Sequence, residues 1–367
     1  MRAADDHRYM ADALRLAARG LCSTRPNPRV GCVIVRDGEV VGTGYHHHAG
    51  GPHAEVVALG EAGAASAGAT AYVTLEPCNH HGRTPPCVDA LIAARVARVV
   101  YACDDPHPRV AGQGAARLRA AGITVEAGPL GDAARELNRG FMSRFGRGRP
   151  FVTLKVGMSL DGKTALANGR SQWITGSAAR ADVQRLRARS CGVLTGIGTV
   201  LADDPALTVR DPRFDIGGVP PSRVVLDASL RLDAGAQLFA TRGPVLVFTA
   251  SEDAGRREML RAAGARLETV AASRGGVDLP AVLARLGELA FNELLVECGP
   301  RLAGALLEAG LVDELVCYVA PRILGSGARS AFALADFAAL DSCPGFDIVE
   351  TGRIGPDLRI VARPASA

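Results

Sequence analysis

Apolar and polar positions follow two rhythms along the chain. Short β-branched runs predict strands, and Ala- and Leu-rich runs with apolar residues three and four apart predict helices. The N-terminal MRAADDHRYMADALRLAARG reads as an amphipathic helix. VGCVIV (Val30–Val35) and the stretch from Val40 predict a hairpin around Asp37-Gly38, residue types that tolerate the positive φ of a tight turn. Next come a helix from His53, a strand at Ala69–Leu75, a Pro-interrupted loop and a helix at Val88–Ala94. A strand at Ala97–Cys103, a helix at Gly114–Ala121 and the strand ITVEAG complete the first half. Strands alternating with helices describe a sheet covered by helices.

Around Gly146–Pro150 the chain turns Gly-, Arg- and Pro-rich, as linkers do, and the strand FVTLKVGMSL begins directly afterwards. The second half repeats the alternation. A helix is expected at Ser177–Arg189, then strands CGVLTG, RVVLDAS and PVLVFTA, and helices around Glu252–Ala263 and Leu279–Leu289. Strand ELLVECG, a helix from Leu302 and strand LVCYVAPRIL follow. The economical reading is two α/β domains, 1–147 and 148–367, which suits a length of 367 residues. No motif stands out in 212–290 or after about 330.

Composition narrows the class. Hydrophobics at 48% and charged residues at 22% are globular values. Uncharged stretches such as Ala62–Leu75 are shorter than the ~18 apolar residues of a membrane span, and no signal peptide is read at the N-terminus. Nine cysteines without a secretory signal point to reduced thiols in the cytoplasm. A net charge of +4 is too small to argue for nucleic acid. Two asymmetries are more telling. Only two of the 42 basic residues are lysines, Lys155 and Lys163, and all eight histidines lie at or before His107.

The first loaded segments are Pro52-His53-Ala54-Glu55, opening a helical run, and the stretch from Glu76 to Cys87 after a strand. One imidazole (His53) and two thiolates (Cys78, Cys87) supply three positions of a tetrahedral zinc and leave the fourth for water. Glu55, two residues beyond His53, would reach that water and move its proton without being a ligand. This is the His-x-Glu, Pro-Cys-x-x-Cys pattern of zinc nucleobase deaminases, except that eight residues separate the cysteines. His81 is a rival third ligand. Cys87 is preferred because it follows a proline, as Cys78 does, and because a second thiolate matches the deaminase chemistry. A closed structural zinc site would need a fourth ligand and would leave Glu55 without a task.

NPRVGCVIV, HAEVVAL, TLEPCNHHGRTPPC and DPHPRVAGQG together resemble the deaminase domain of the bifunctional riboflavin-biosynthesis deaminase/reductases, where the insert between the cysteines is expected. The resemblance implies an N-terminal cytidine-deaminase-like three-layer α/β/α domain holding a ribosylamino-pyrimidine phosphate. Asn27, His46, His80, Arg83 and Asp105 fall at matching positions as substrate contacts. LKVGMSLDGKTA, SQWIT, TGIGT, LADDP and VECGPRLAG resemble the reductase domain of the same family, a dihydrofolate-reductase-like α/β fold that uses NADPH. Matching positions imply Gly157, Thr164, Trp173, Thr199, Asp203 and the turn Gly299, Pro300, Arg301, Leu302, Ala303, Gly304, Ala305 for the cofactor. Ser171, Arg187, Leu207, Arg210 and Glu297 would hold the substrate, Arg187 and Arg210 by gripping its phosphate, with Lys155 beside the reacting sugar carbon. Lys155 or Asp203 would assist protonation. Cys298 in the turn departs from the family pattern and is read as filler.

The resemblance thus implies a cytoplasmic enzyme with one zinc per chain and NADPH, a phosphorylated pyrimidine substrate, and a homo-oligomeric state. It implies deamination of 2,5-diamino-6-ribosylamino-4(3H)-pyrimidinone 5′-phosphate and then reduction of the ribosyl group to ribityl. Two rivals make different predictions. A nucleoside or tRNA deaminase with an unrelated appended domain would not bind NADPH. A non-catalytic zinc module on nucleic acid would tolerate loss of Glu55. On the residues alone, Lys155 as a snorkelling strand residue and Trp173 as a core anchor remain equal alternatives to functional roles.

Overall fold

The computed structural model describes residues 2–80, 82, 84–107, 111–273 and 275–365. His81 and Arg83, both singled out above, lie outside the described residues. The chain divides into two compact units, Met1–Gly148 with Asp215–Gly218, and Arg149–Phe214 with Val219–Ala367.

In the first unit, α1 (Arg2–Arg19) precedes the hairpin β1 (Gly31–Arg36) and β2 (Glu39–Tyr45). Then come α2 (Ala54–Ala62), β3 (Thr70–Val73), α3 (Cys87–Ala93), β4 (Arg98–Tyr101), α4 (Gln113–Ala120) and β5 (Thr124–Ala127). Two helices, α5 (Gly131–Leu137) and α6 (Arg139–Arg147), follow where the apolar pattern predicted none. The hairpin turn has φ 54° at Asp37 and 86° at Gly38, as that residue pair requires. The sheet order is β2-β1-β3-β4-β5, with the β3–β5 strands parallel and β1 antiparallel to both neighbours.

Strand period makes this unit three-layered. Cys32 and Ile34 of β1 pack with α2, α3 and α4 through Ala54, Ala58, Leu91 and Leu118. Val33 and Val35 face the opposite side and meet Tyr9, Met10 and Ala13 of α1. Burying each such Val or Ile side chain contributes roughly 1.5–3 kcal/mol. Gly148, with φ 70°, ends α6 in the left-handed conformation.

The second unit opens with β6 (Phe151–Ser159), β7 (Lys163–Ala165), α7 (Ser177–Arg189), β8 (Gly192–Gly196), α8 (Ile197–Asp203) and β9 (Ser222–Leu226). It continues with β10 (Val245–Thr249), α9 (Ala254–Ala262), β11 (Ala265–Thr269), the short β12 (Ala272–Ser273) and β13 (Gly276–Val277), and α10 (Leu279–Glu288). It closes with β14 (Glu293–Glu297), α11 (Pro300–Glu308), β15 (Glu314–Ala320), β16 (Arg329–Ser330), β17 (Phe346–Ile354) and β18 (Asp357–Pro364). Nine strands form one sheet in the order β11-β10-β9-β8-β14-β6-β15-β18-β17. All neighbours are parallel except the last two pairings, which are antiparallel. The α10 and α11 helices cover one face and α7, α8 and α9 the other. The helix expected from Leu302 starts at Pro300, whose missing N–H costs nothing in a first turn. Among the described residues, no helix is long and apolar enough to cross a membrane.

Candidate active sites

In the first unit, His53 caps α2 and Cys87 is the first residue of α3. Cys78 lies on the loop after β3, and its Sγ accepts the Cys87 backbone N–H at 3.3 Å, so both sulfurs meet at the start of α3. That loop is pinned from behind. Glu76 accepts the N–H groups of Gly112 (3.0 Å) and Ala115 (3.2 Å) at the start of α4. Gly114 lets the helix approach, because a Cβ there would stand 2.0 Å from the Pro77 carbonyl oxygen.

One atom from each of His53, Cys78 and Cys87 falls within 4.8 Å of the other two, the only such metal-competent group among the described residues. His53 Nδ1 lies 3.0 Å from Cys87 Sγ and 3.6 Å from Cys78 Sγ. Ligands of a tetrahedral zinc, bound at about 2.0 Å (N) and 2.3 Å (S), stand about 3.5 Å apart, so the three residues fit the ion. The Cys78 thiol is brought down to about 4 by the hydrogen bond from Cys87, with His53 adding to it. Cys87 is pushed up by that same bond and by burial, so the pair keeps one proton to release when a cation arrives. Glu55 is buried against Cys87, and burial followed by the Cys78 charge raises its carboxyl.

A residue that spacing rules could not flag completes the set. His53 Nε2 lies 3.2 Å from Thr84 Oγ1, which leaves Nδ1 for the metal. Thr84→Val should weaken zinc binding about 10- to 100-fold without unfolding the chain, as measured by competition with a zinc chelator.

The sequence-derived substrate contacts divide into two groups. Asn27 Nδ2 lies 3.0 Å from His46 Nε2, and His46 Nδ1 lies 3.0 Å from the Pro52 carbonyl oxygen. His46 is buried and sits edge-on to His53 with ring centroids 5.2 Å apart. Both ring nitrogens of His46 are thus engaged by protein atoms in this structure. In the second group, the His80 ring stacks on His107 at 5.5 Å, and the His107 N–H donates to Asp105 Oδ1 at 2.8 Å. Burial pushes the Asp105 carboxyl up to about 7, and the charges of Glu76 and Cys78 add to the effect. His80 Nδ1 is buried without a partner among the described residues.

In the second unit, a cavity of about 1720 Å³ lies along the C-terminal edge of the parallel strands. Ligand pockets usually measure about 300–1,000 Å³, so a cofactor and a substrate have room together. It is lined by Lys155, Gly157, Thr164, Ser171, Trp173, Arg187, Thr199, Asp203, Leu207, Arg210 and Glu297, all expected in the site. Within the Gly299–Ala305 turn, Gly299, Pro300, Arg301, Leu302 and Ala305 line it too. Ala303 and Gly304 do not. Helical periodicity turns them to the core, where a Cβ on Gly304 would meet the Ala333 carbonyl oxygen at 2.0 Å. Both therefore pack against the core at the foot of the turn.

At the centre, β14 pairs Glu297 with Lys155 of β6. Lys155 Nζ stands 3.2 Å from Glu297 Oε2, and Arg187 donates Nε (2.6 Å) and NH2 (3.1 Å) to the two carboxylate oxygens. Arg187 NH1 also holds the Thr208 carbonyl at 3.0 Å, which tethers the segment carrying Leu207 and Arg210. The fork of Arg187 is therefore engaged with Glu297 and Thr208 in this structure. The Arg210 side chain is exposed and unpaired among the described residues. Trp173 is 62% exposed, which removes the core-anchor reading, and Arg180 covers its ring at 4.4 Å. Arg180 is a second residue with no sequence signal. The Cys298 thiol is pushed up to about 12 by burial, as suits inert filler.

Lys155 and Arg187 hold the buried Glu297 carboxyl down to about 2 despite its burial. A depressed carboxylate stabilises the fold above its unfolded value of 4.5, and that stability is lost as pH falls toward about 2. Glu297→Gln should therefore flatten the acid limb of the unfolding profile between those values. At neutral pH it should cost about 3 kcal/mol, checked by denaturant melts across pH.

A profile described as the cytidine and deoxycytidylate deaminase zinc-binding region matches residues 3–103, and the RibD C-terminal domain profile matches residues 150–360. The riboflavin biosynthesis protein RibD of Escherichia coli is 50% identical over 362 residues, covering 96% of this chain and 98% of that protein. The solved RibD of Acinetobacter baumannii superposes with a TM-score of 0.93 at 44% identity, covering 100% of both chains. The deaminase/reductase of Thermotoga maritima gives 0.86 at 33% identity, again over 100% of both. The chain belongs to the RibD family of bifunctional riboflavin-biosynthesis enzymes, with a zinc-binding deaminase domain followed by an NADPH-dependent reductase domain.

Proposed function

We propose that residues 1–147 deaminate 2,5-diamino-6-ribosylamino-4(3H)-pyrimidinone 5′-phosphate and that residues 148–367 reduce the ribosyl group of the product to ribityl. The observation that carries this reading is the presence on one chain of a His/Cys/Cys triad beside a buried carboxylate and a two-ligand cavity centred on Lys155. The solved Thermotoga maritima relative is described by the same pair of activities.

In the first step water replaces the 2-amino group, which leaves as ammonia. His53, Cys78 and Cys87 would hold zinc, which would supply the Lewis acidity that makes water nucleophilic near neutral pH. Glu55 takes a proton from the attacking water and returns protons to the ring nitrogen and the departing amine. Its burial keeps bulk solvent from exchanging those protons. Asn27, His80, Arg83 and Asp105 hold the ring, sugar and phosphate.

In the second step the C1′–O4′ bond of the sugar opens and C1′ becomes the carbon of an iminium. Gly157, Thr164, Trp173, Thr199, Asp203 and the Gly299–Leu302 and Ala305 side of the turn would hold NADPH, which would supply the hydride for C1′. Lys155 gives its proton to O4′. Its 3.2 Å pairing with Glu297 holds the ammonium at the cavity wall, whereas Asp203 is exposed at the end of α8. Ser171, Leu207, Arg210 and Glu297 hold the substrate, and Arg187 positions Glu297.

The enzyme is cytoplasmic in this reading, in keeping with nine free cysteines. It is a homo-oligomer, supported by exposed Ile348 and Val349 on the edge strand β17. Purified protein given the diaminopyrimidine phosphate should release ammonia and then oxidise NADPH. Ammonia release from cytidine or adenosine with no NADPH oxidation would overturn the reading.

A further inference from the structure

The histidine at position 46 does chemistry of a different kind from the one its sequence position suggests. A carbonyl oxygen can only accept, so the 3.0 Å contact with Pro52 places the proton on His46 Nδ1. Asn27 Nδ2 can only donate and stands 3.0 Å from Nε2, so Nε2 accepts and the ring is the neutral Nδ1–H tautomer. This choice also settles the other end of the amide. Asn27 is only half-buried, and its Oδ1 has no partner among the described residues. The ring cannot swing away, because it is buried and its own backbone N–H is tied to the Val30 carbonyl at 2.9 Å. Pro52 precedes His53 directly, so one relay ties the amide to the segment that carries the triad's imidazole.

We propose that His46 is a positioning residue that fixes the Asn27 amide so that its Oδ1 accepts a hydrogen bond from an N–H of the pyrimidine substrate. The inference rests on the deaminase reading and adds to it. A freely rotating asparagine would present donor and acceptor equally. One whose NH2 is held by a neutral imidazole has its Oδ1 fixed in direction, and so favours a ring bearing an N–H over one bearing a carbonyl at the point that oxygen meets.

A double-mutant cycle on the zinc-loaded enzyme tests this. Asn27→Ala should raise KM for the diaminopyrimidine phosphate about 10-fold with little change in kcat, and His46→Phe should do nearly the same. The double variant should be no worse than about 2-fold beyond the larger single effect, because His46 acts through Asn27. Multiplying effects, an unchanged KM in His46→Phe, or zinc loss in that variant would each overturn the proposal. If His46→Phe does not fold, the wild-type protein still decides. Long-range ¹⁵N–¹H spectra should show an imidazole with Nδ1 protonated and Nε2 bare, whose Nε2 signal shifts in Asn27→Ala. The opposite tautomer, or no shift, would overturn it. Absence of ammonia release from the wild-type enzyme would instead overturn the deaminase reading itself.

Discussion

Replacing Glu55 by alanine is expected to lower ammonia release about 10⁴-fold while the zinc content stays unchanged. Positioned proton transfer contributes typically 10²–10⁴-fold, and here a single carboxylate serves the water, the ring nitrogen and the leaving amine, so the upper end applies. Glu55 is 3% exposed and stands outside the His53, Cys78, Cys87 group, so removing it takes no ligand from the metal. Reduction should continue when the deaminated intermediate is supplied directly, since the Lys155 cavity is built wholly from residues of the second unit. Ammonia release, metal analysis and NADPH absorbance on one preparation check all three. Zinc lost in parallel with activity would make Glu55 a structural residue.

Lys155→Ala should lower NADPH oxidation about 10³-fold and leave ammonia release intact. Glu297 keeps the two hydrogen bonds from Arg187, so the variant retains a paired carboxylate and a folded site. Lys155→Arg separates charge from proton transfer. A guanidinium restores the cation beside Glu297, yet it does not give up its proton near neutral pH. The arginine variant should therefore stay as slow as the alanine one. Recovery in Lys155→Arg would assign Lys155 an electrostatic role, and equal loss of ammonia release in Lys155→Ala would undo the separation of the two sites.

Much of the fold was readable from residue pattern because the physics there is local. Asp37-Gly38 requires a tight turn, and the apolar runs on both sides of it are long enough only for strands. Helices whose apolar faces meet a sheet, such as Ser177–Arg189, carry the 3.6-residue period and were found. The α5 and α6 helices were missed because their turns are short and rich in Arg and Gly. The β17–β18 ribbon was missed because β17 is mostly exposed and has no buried face to impose alternation.

Residue types and their spacing were enough to point to a metal site, a carboxylate beside it, and one of only two lysines on a strand of the second half. Each of these follows from which groups can ligate, titrate or carry charge. The crowding of histidines before His107 is explained the same way, since the metal and the loop between its cysteines lie there. Which partner each group takes was decided only when distant segments met. Arg187 reaches Glu297 across 110 positions. Thr84 meets His53, Gly304 faces Ala333, and His46 turns inward to Asn27 and Pro52. A side chain's chemistry is intrinsic to it, but its hydrogen-bonding capacity is finite. Which neighbours fill that capacity depends on contacts that sequence order does not encode.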